Sequence, residues 1–527
     1  MIAKKLLLYS DTSCHYELIE SVIVKYSEII KTFDKCDIYI YFDFHPTIDT
    51  ISFKKYILSK YPGIKFENIN DYHYIINISI YIEQYDSLCD ISGKLPKNYF
   101  AIAHRVDDVL LKDPNIYYLT ELSKKPIFEA TILPYANDKV DKDYPIFVVQ
   151  GLDPGRRDYE IFIKLIYHQT RFPFKFKLLG KANFNLDIVK NVIDRIILKT
   201  DLHFSDFHKE FNDCFCLLPL ISKARNKCYY SLSLSSSINY IKGYKLKGFL
   251  DEDLQDIYNL PNVITYKTDY TNILDQFEKL LEEFYNSNYI CGVYIEPRDL
   301  LQVYKNIENF NLVMPGSKLY FFCGKGLLNH YKSTITNKNV TIIELDTTNL
   351  DFSSYSNLMK STNFWNNFDT KYTHIVTIQS DGCLCKNSSF SIWDFIHYDY
   401  VGGYAEEGWW WKETQGLHYK DDYQCFNGGF SLRNIKACKK VIENFPSGHT
   451  EHFYQGCPLI HFPEDLYFVT GMLKLGYNIG TDKYATNFCS HSTFINNCFC
   501  IHKLNKYVSN SQLKQSLQYC PEFEFFM

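Results

Sequence analysis

A handful of residues in the C-terminal half combine reactive side chains with suggestive spacing. Asp381 follows a short apolar run, Ile375 to Ile378, so a strand would carry its carboxylate to an exposed end. Glu464 and Asp465 stand together after Pro463, and His502 lies between Ile501 and Lys503. Carboxylate and imidazole together suit a divalent cation such as Mn²⁺ or Mg²⁺. Such an ion stabilises the charge on a departing diphosphate. A further carboxylate beside an attacking hydroxyl would serve as its base. Ordinary readings stand beside these. Asp-Gly is a common turn pair, a histidine after an apolar run is often a satisfied core group, and Pro-Glu-Asp makes a good first helical turn.

Between these residues lie two double glycines, Gly402-Gly403 and Gly428-Gly429, and a tryptophan run, Trp409 to Trp411. Gly428 and Gly429 would admit close backbone approach to a ligand, or simply a tight strand entry. Trp409 and Trp410 offer apolar faces and N–H donors suited to stacking on sugar rings. Three consecutive tryptophans cannot all face one way on a strand, so at least one serves packing.

The elements that must position these groups alternate along the whole chain. Strands are expected at Leu6 to Tyr9, Asp37 to Phe42, Tyr74 to Ile78, Phe100 to Ala103 and Ile127 to Leu133. A second series follows at Ile146 to Gln150, Phe174 to Leu179, Ile196 to Leu198, Phe215 to Leu218 and Asn262 to Tyr266. Helical spacing marks Ile19 to Ile30, Asp158 to Tyr167 and Ile273 to Tyr285. Such alternation predicts doubly wound, parallel α/β sheets, with Rossmann-like halves over 1–138 and 139–288. The polar run Asn286 to Asn288 reads as a junction, and a third domain, 289–527, begins with a strand at Tyr289. Its further strands are expected at Gly292 to Glu296, Lys318 to Cys323, Val340 to Leu345, Tyr400 to Gly403 and Gly429 to Leu432.

Composition limits the alternatives. At ~150 residues per domain, 527 residues suggest two to four domains. The 22% charged and 46% apolar shares are those of a globular chain. A net charge of −5 without a long basic run argues against nucleic acid as a partner. The 44 Tyr and 40 Phe, with abundant Lys, Asn and Ile, read as the codon bias of an AT-rich genome, a giant virus for example. The 17 cysteines include no C-x-x-C and are expected to be buried thiols. No run approaches the ~18 apolar residues of a membrane span, so the expected location is cytoplasmic. The absence of a G-x-x-x-x-G-K-[ST] loop disfavours a kinase or NTPase.

The order of QSDG, YDYVGGY, NGGFSLR, PEDLYF and IHK, over roughly 290–505, resembles a family of GT-A-fold glycosyltransferases. More distantly it is similar to inverting β1,3-type enzymes with G-G and E-D motifs. YIEPR and FFCGKG resemble that family's opening, where a strand meets the nucleotide. The resemblance implies Asp381 and His502 as ligands of a divalent cation, and Asp465, or alternatively Glu464, as the base. It implies Glu296, Arg298, Gln379, Gly428 and Gly429 at the donor, while the stacking chemistry of Trp409 and Trp410 suggests the acceptor. Gln379 departs from the pattern, standing where many such enzymes carry the first acid of a D-x-D motif.

Residues 146–180 resemble the nucleotide-binding half of GT-B glycosyltransferases. There Arg156 and Arg157 would open a helix and meet a diphosphate. The acidic donor motif of such enzymes is missing; Lys223, Arg225 and Lys227 stand in its place. Together the resemblances imply a metal-dependent transferase that moves a sugar from a nucleotide-diphosphate sugar to a glycan or glycoprotein, with a second transferase or a scaffold at the N-terminus. The alternative is a non-catalytic glycan-binding or assembly protein on decayed transferase folds.

Overall fold

A computed structural model describes residues 4–10, 16–30, 36–43, 48–70, 72, 74–80, 99–103, 116–118, 142–152, 157–180, 185–231, 235–406, 410–446 and 456–526. The strand expected at Ile127 to Leu133 lies outside them. The chain divides into two compact units, Met1–Leu281 and Glu282–Met527.

The first unit holds two parallel sheets. One is built from β1 (Lys4–Ser10), β2 (Cys36–Phe42), β3 (Tyr74–Ile80), β4 (Tyr99–Ala103) and β5 (Ile116–Tyr118), ordered β2-β1-β3-β4-β5. The other uses β6 (Ile146–Gln150), β7 (Lys175–Leu179), β8 (Ile196–Lys199), β9 (Cys216–Leu217), β10 (Lys247–Asp251) and β11 (Val263–Tyr266). Its order, β11-β10-β9-β6-β7-β8, is that of a doubly wound dinucleotide-type sheet, with the switch point between β9 and β6. Continuous apolar runs such as Ile146 to Val149, all buried, suit strands covered on both faces.

The helix expected to stop at Tyr285 runs on to Tyr289, and the next strand begins at Ile290. The run Asn286 to Asn288 therefore does not break it. Ser287 and Asn288 donate from their side chains to the Phe284 carbonyl, three and four residues back. Buried Asn286 donates to the Pro315 carbonyl and accepts from the Trp393 indole. Their polar groups are satisfied within or beside the helix, so nothing forces a turn.

The second unit carries a nine-stranded mixed sheet: β12 (Ile290–Glu296), β13 (Lys318–Cys323), β14 (Val340–Glu344), β15 (His374–Ile378), β16 (Gly382–Leu384), β17 (Tyr400–Tyr404), β18 (Cys425–Asn434), β19 (Cys489–Ser490) and β20 (Cys500–His502). Its order is β14-β13-β12-β15-β18-β17-β19-β20-β16. β12, β13, β14 and β15 are mutually parallel, whereas β18 runs antiparallel to β15 and to β17. Large apolar clusters cover the two faces, one around Trp365, Tyr467 and Phe468, the other around Tyr294, Phe321 and Phe430.

This order decides where the functional groups meet. β12 and β15 are parallel neighbours, so Glu296 and the Gln379-Ser380-Asp381 turn emerge at one sheet edge. The reversed β18 brings Asn427, Gly428 and Gly429 to that same edge, because Thr377 pairs with Ser431. The antiparallel pairing of Gly382 with His502 then sets Asp381 beside the histidine. Among the described residues, no helix is long and apolar enough to cross a membrane.

Candidate functional site

The edge opens into a cleft of about 270 Å³ whose lining includes Glu296, Arg298, Tyr355, Gln379, Ser380, Asp381 and Lys503. Four residues singled out from the sequence thus share one cavity: Glu296, Arg298, Gln379 and Asp381. His502 stands directly behind. Its Nε2 lies 3.0 Å from Asp381 Oδ1, and its Nδ1 2.9 Å from Asn427 Oδ1. Lys503 Nζ is 3.3 Å from the other Asp381 oxygen. Burial alone would raise the Asp381 pKa, but the hydrogen bond to His502 and the charges of His502 and Lys503 hold it well below the usual carboxylate range.

The protonation of His502 follows from its neighbours. The Gly429 backbone N–H donates to Asn427 Oδ1 at 3.2 Å, which identifies that atom as the amide oxygen. The ring atom facing it, Nδ1, must then carry a hydrogen. Burial pushes the His502 pKa down, against the opposing pull of Asp381. With Nδ1–H given to Asn427, Nε2 is the nitrogen that faces Asp381. His491 packs beneath, its ring stacked at 5.0 Å and its Nδ1 3.1 Å from the His502 carbonyl. Burial, aided by the His502 charge, lowers the His491 pKa to about 3.

A carboxylate oxygen and an imidazole nitrogen 3.0 Å apart fit a hard cation. Adjacent vertices of an octahedron with bonds of ~2.1 Å are separated by ~3.0 Å. Among the described residues, no group of three or more His, Cys, Asp or Glu side chains could hold a metal ion.

Glu296 is an organiser more than a ligand group. It is 3% exposed and receives Arg298 through Nε at 2.8 Å and Nη2 at 2.9 Å, with the Ser380 hydroxyl on its second oxygen. This aims the exposed Arg298 side chain along the cleft.

Asp465 lies on the other side of the double glycine. Its Oδ2 accepts the Gly428 N–H at 3.2 Å, and its Oδ1 the Leu466 N–H at 2.8 Å. Burial, and next the neighbouring Glu464 charge, push its pKa up to about 7. A half-buried carboxyl poised near neutrality has the properties of a general base.

Three expectations are corrected here. Glu464, the alternative base, is instead clamped by the fully buried Arg433 at 2.5 Å, and its backbone N–H reaches Ser356. Arg433 also holds the Gly428 carbonyl and Ser431 Oγ, so the pair braces the glycine turn. Trp410 is no acceptor platform, since it is 4% exposed and packs on Phe426 in the core. Arg157, in the first unit, does not point to a ligand. Its Nε donates to the Gln150 carbonyl and its Nη2 to Ser237 Oγ, fastening β6 to the helix Ser236–Tyr244. Asp158 caps the helix that Arg156 and Arg157 were expected to open. Arg156 and Trp409 lie outside the described residues. The surface cations Lys223 and Arg225 pair with Asp253 and Glu160.

Sequence reading missed Asn427, Tyr355, Lys503 and His491. Asn427 and Lys503 adjoin motif residues and so carried a signal. Tyr355, which lines the same cleft as Gln379, carried none.

Residues 339–505 match the family described as "Protein of unknown function (DUF5672)". No curated protein matches the chain. Two of the solved structures that match are weakly similar. AviGT4, described as a glycosyltransferase involved in avilamycin A biosynthesis, is 12% identical, over 53% of this chain and 88% of its own, at a TM-score of 0.34. The galactosyltransferase LgtC, in complex with donor and acceptor sugar analogues, is 10% identical, over 45% of this chain and 94% of its own, at a TM-score of 0.30. Likenesses this slight leave the chemistry to be argued from the site itself.

Proposed function

We propose that the second unit transfers a sugar from a nucleotide-diphosphate sugar to a hydroxyl of a glycan or glycoprotein, on a GT-A-like fold and with inversion at the anomeric carbon. The observation that carries the reading is the convergence of Asp381–His502 and Asp465 on the two sides of Gly428-Gly429. Asp381 and His502 would hold a divalent cation, Mn²⁺ or Mg²⁺, which when bound neutralises the diphosphate that leaves. Arg298 and Lys503 add positive charge at the same wall. Asp465 takes the proton from the acceptor hydroxyl, and a single base on that side supports direct displacement. The glycines, expected to admit the donor, instead admit protein side chains: the His502 ring fills the space over Gly429, and Glu464, Arg433 and Asp465 that over Gly428.

The test is release of nucleoside diphosphate from a panel of nucleotide sugars with Mn²⁺, using the full chain. Asp381→Ala and Asp465→Asn should each abolish turnover, and EDTA should do the same to the wild type. Turnover that persists in Asp381→Ala would sink the assignment. Gln379, which adds no charge where an acid is common, favours a second reading as a glycan-binding protein without turnover. That reading expects sugar binding with no nucleotide release and no effect of Asp465→Asn on affinity. In the first unit Arg157 is occupied by Gln150 and Ser237 and lends no support to a second transferase there.

A further inference from the structure

A second cleft, of about 200 Å³, lies beside the first, and Phe352 borders both. Phe352 opens the helix Phe352–Met359 and is 70% exposed, a large aromatic ring left in solvent where two polar cavities meet. The helix is the partition between them. Tyr355 faces the first cleft, while Ser353, Ser356 and Asn357 line the second. The opposite wall, Ile460 to Phe462, is pinned from below: the buried Lys360 ammonium donates to the Ile460 carbonyl at 2.6 Å and the Phe462 carbonyl at 2.9 Å. His461 also lines it. Pro463, also in the lining, leads straight into the helix that carries Asp465, and the Glu464 N–H donates to Ser356 Oγ at 3.3 Å.

The two clefts differ in chemistry. Arg298, Lys503 and Asp381 make the first a place for phosphates and a cation. The second has no carboxylate in its lining, and Lys360 is turned to backbone carbonyls. What remains for a ligand is hydroxyl, amide and imidazole groups under an exposed aromatic ring, the combination that binds a neutral, hydroxyl-rich ring by stacking and hydrogen bonds. From the shared Phe352 rim and this division of charge, we infer that the second cleft is a subsite for an uncharged pyranose of the acceptor, on the wall whose Pro463 leads into the helix of Asp465. The inference rests on the transferase reading for the word acceptor, but the sugar subsite itself does not.

The experiment is ligand-observed NMR on the full chain with methyl glucoside, galactoside, mannoside and N-acetylglucosaminide. Calorimetry with nucleoside diphosphates and Mn²⁺ runs in parallel. Phe352→Ala and Asn357→Ala alter exposed side chains, and unchanged thermal melting will show that each folds. At least one glycoside should bind the wild type, with about tenfold loss in Phe352→Ala, in line with a lost stacking contact. Asn357 touches only the second cleft, so Asn357→Ala should weaken the glycoside and leave nucleotide binding unchanged. Glycoside binding that is absent from the wild type, or indifferent to both variants, overturns the subsite even if nucleotides bind. Glycoside binding that depends on Phe352 and Asn357 without any nucleotide binding upholds the subsite and removes the transferase reading.

Discussion

The imidazole of His502 occupies the space where a side chain on Gly429 would begin, so that a Cβ there would overlap the ring. The same Gly429 orients the histidine through Asn427, by donating its N–H to the amide oxygen that receives Nδ1. One glycine therefore both admits the ring and fixes its tautomer. Gly429→Ala must push His502 away from Asp381. Loss of such a positioning contact lowers metal affinity by about 10- to 100-fold. Mn²⁺ calorimetry on the variant checks this, with thermal melting to register the overpacking penalty of about 1–3 kcal/mol. Wild-type Mn²⁺ affinity in Gly429→Ala would separate His502 from any metal role.

Asp465 links activity to pH and to stability in opposite senses. Its folded pKa is raised to about 7 from 3.8, by burial and the Glu464 charge. As the base it must be ionised, so turnover should rise through pH 7 and level off above it. Ionising it in the folded protein is unfavourable. Its contribution to stability is full below the unfolded pKa near 4 and is lost as pH rises through about 7. Asp465→Asn should then abolish turnover while melting higher than the wild type at pH 8, the difference vanishing near pH 4. A variant that melts lower at pH 8 would contradict the raised pKa.

The Arg433–Glu464 pair makes a contrasting prediction. Arg433 is fully buried, lies over the Tyr400 and Phe468 rings, and meets Glu464 as its one carboxylate among the described ion pairs. Removing one partner of a buried pair leaves an uncompensated charge and costs about 3–5 kcal/mol. Glu464→Gln should lose stability of that order in denaturant unfolding. If Glu464 were the base, the same change would silence turnover and leave stability nearly intact.

What could be read from residues alone followed short-range physics. The parallel sheets were legible because continuous apolar runs such as IFVVQ and KLYFFC alternate with helical spacing, and Asp381 was placed at a strand end by the apolar run before it. Which neighbour each residue would meet depended on strand order. The reversal of β18 brings Arg433 inside to Glu464, and no local pattern separates that arginine from a surface one. Trp410 misled for a related reason. Its chemistry suits a sugar platform, yet the short helix Trp410–Glu413 turns it onto Phe426. Asn286 to Asn288 look like a break until their side-chain partners at Phe284, Pro315 and Trp393 are known.

The charge balance of the first cleft can be tested through Glu296 and Arg298. Two of the three guanidinium nitrogens rest on Glu296, which holds the arginine in place and offsets its charge. Arg298→Ala removes both position and charge and should weaken nucleoside diphosphate binding about tenfold, the scale of one charge-assisted hydrogen bond. Glu296→Gln retains an acceptor for the arginine but deletes a negative charge facing the phosphates. Binding without metal should then tighten at low ionic strength. The gain should shrink as salt screens the half-exposed site, over a Debye length of about 8 Å at 0.15 M. Calorimetry with a nucleoside diphosphate at two salt concentrations separates the two roles of Glu296. Tighter binding that fades with salt identifies its charge as the dominant effect, whereas weaker binding at both concentrations means that holding Arg298 in place outweighs it.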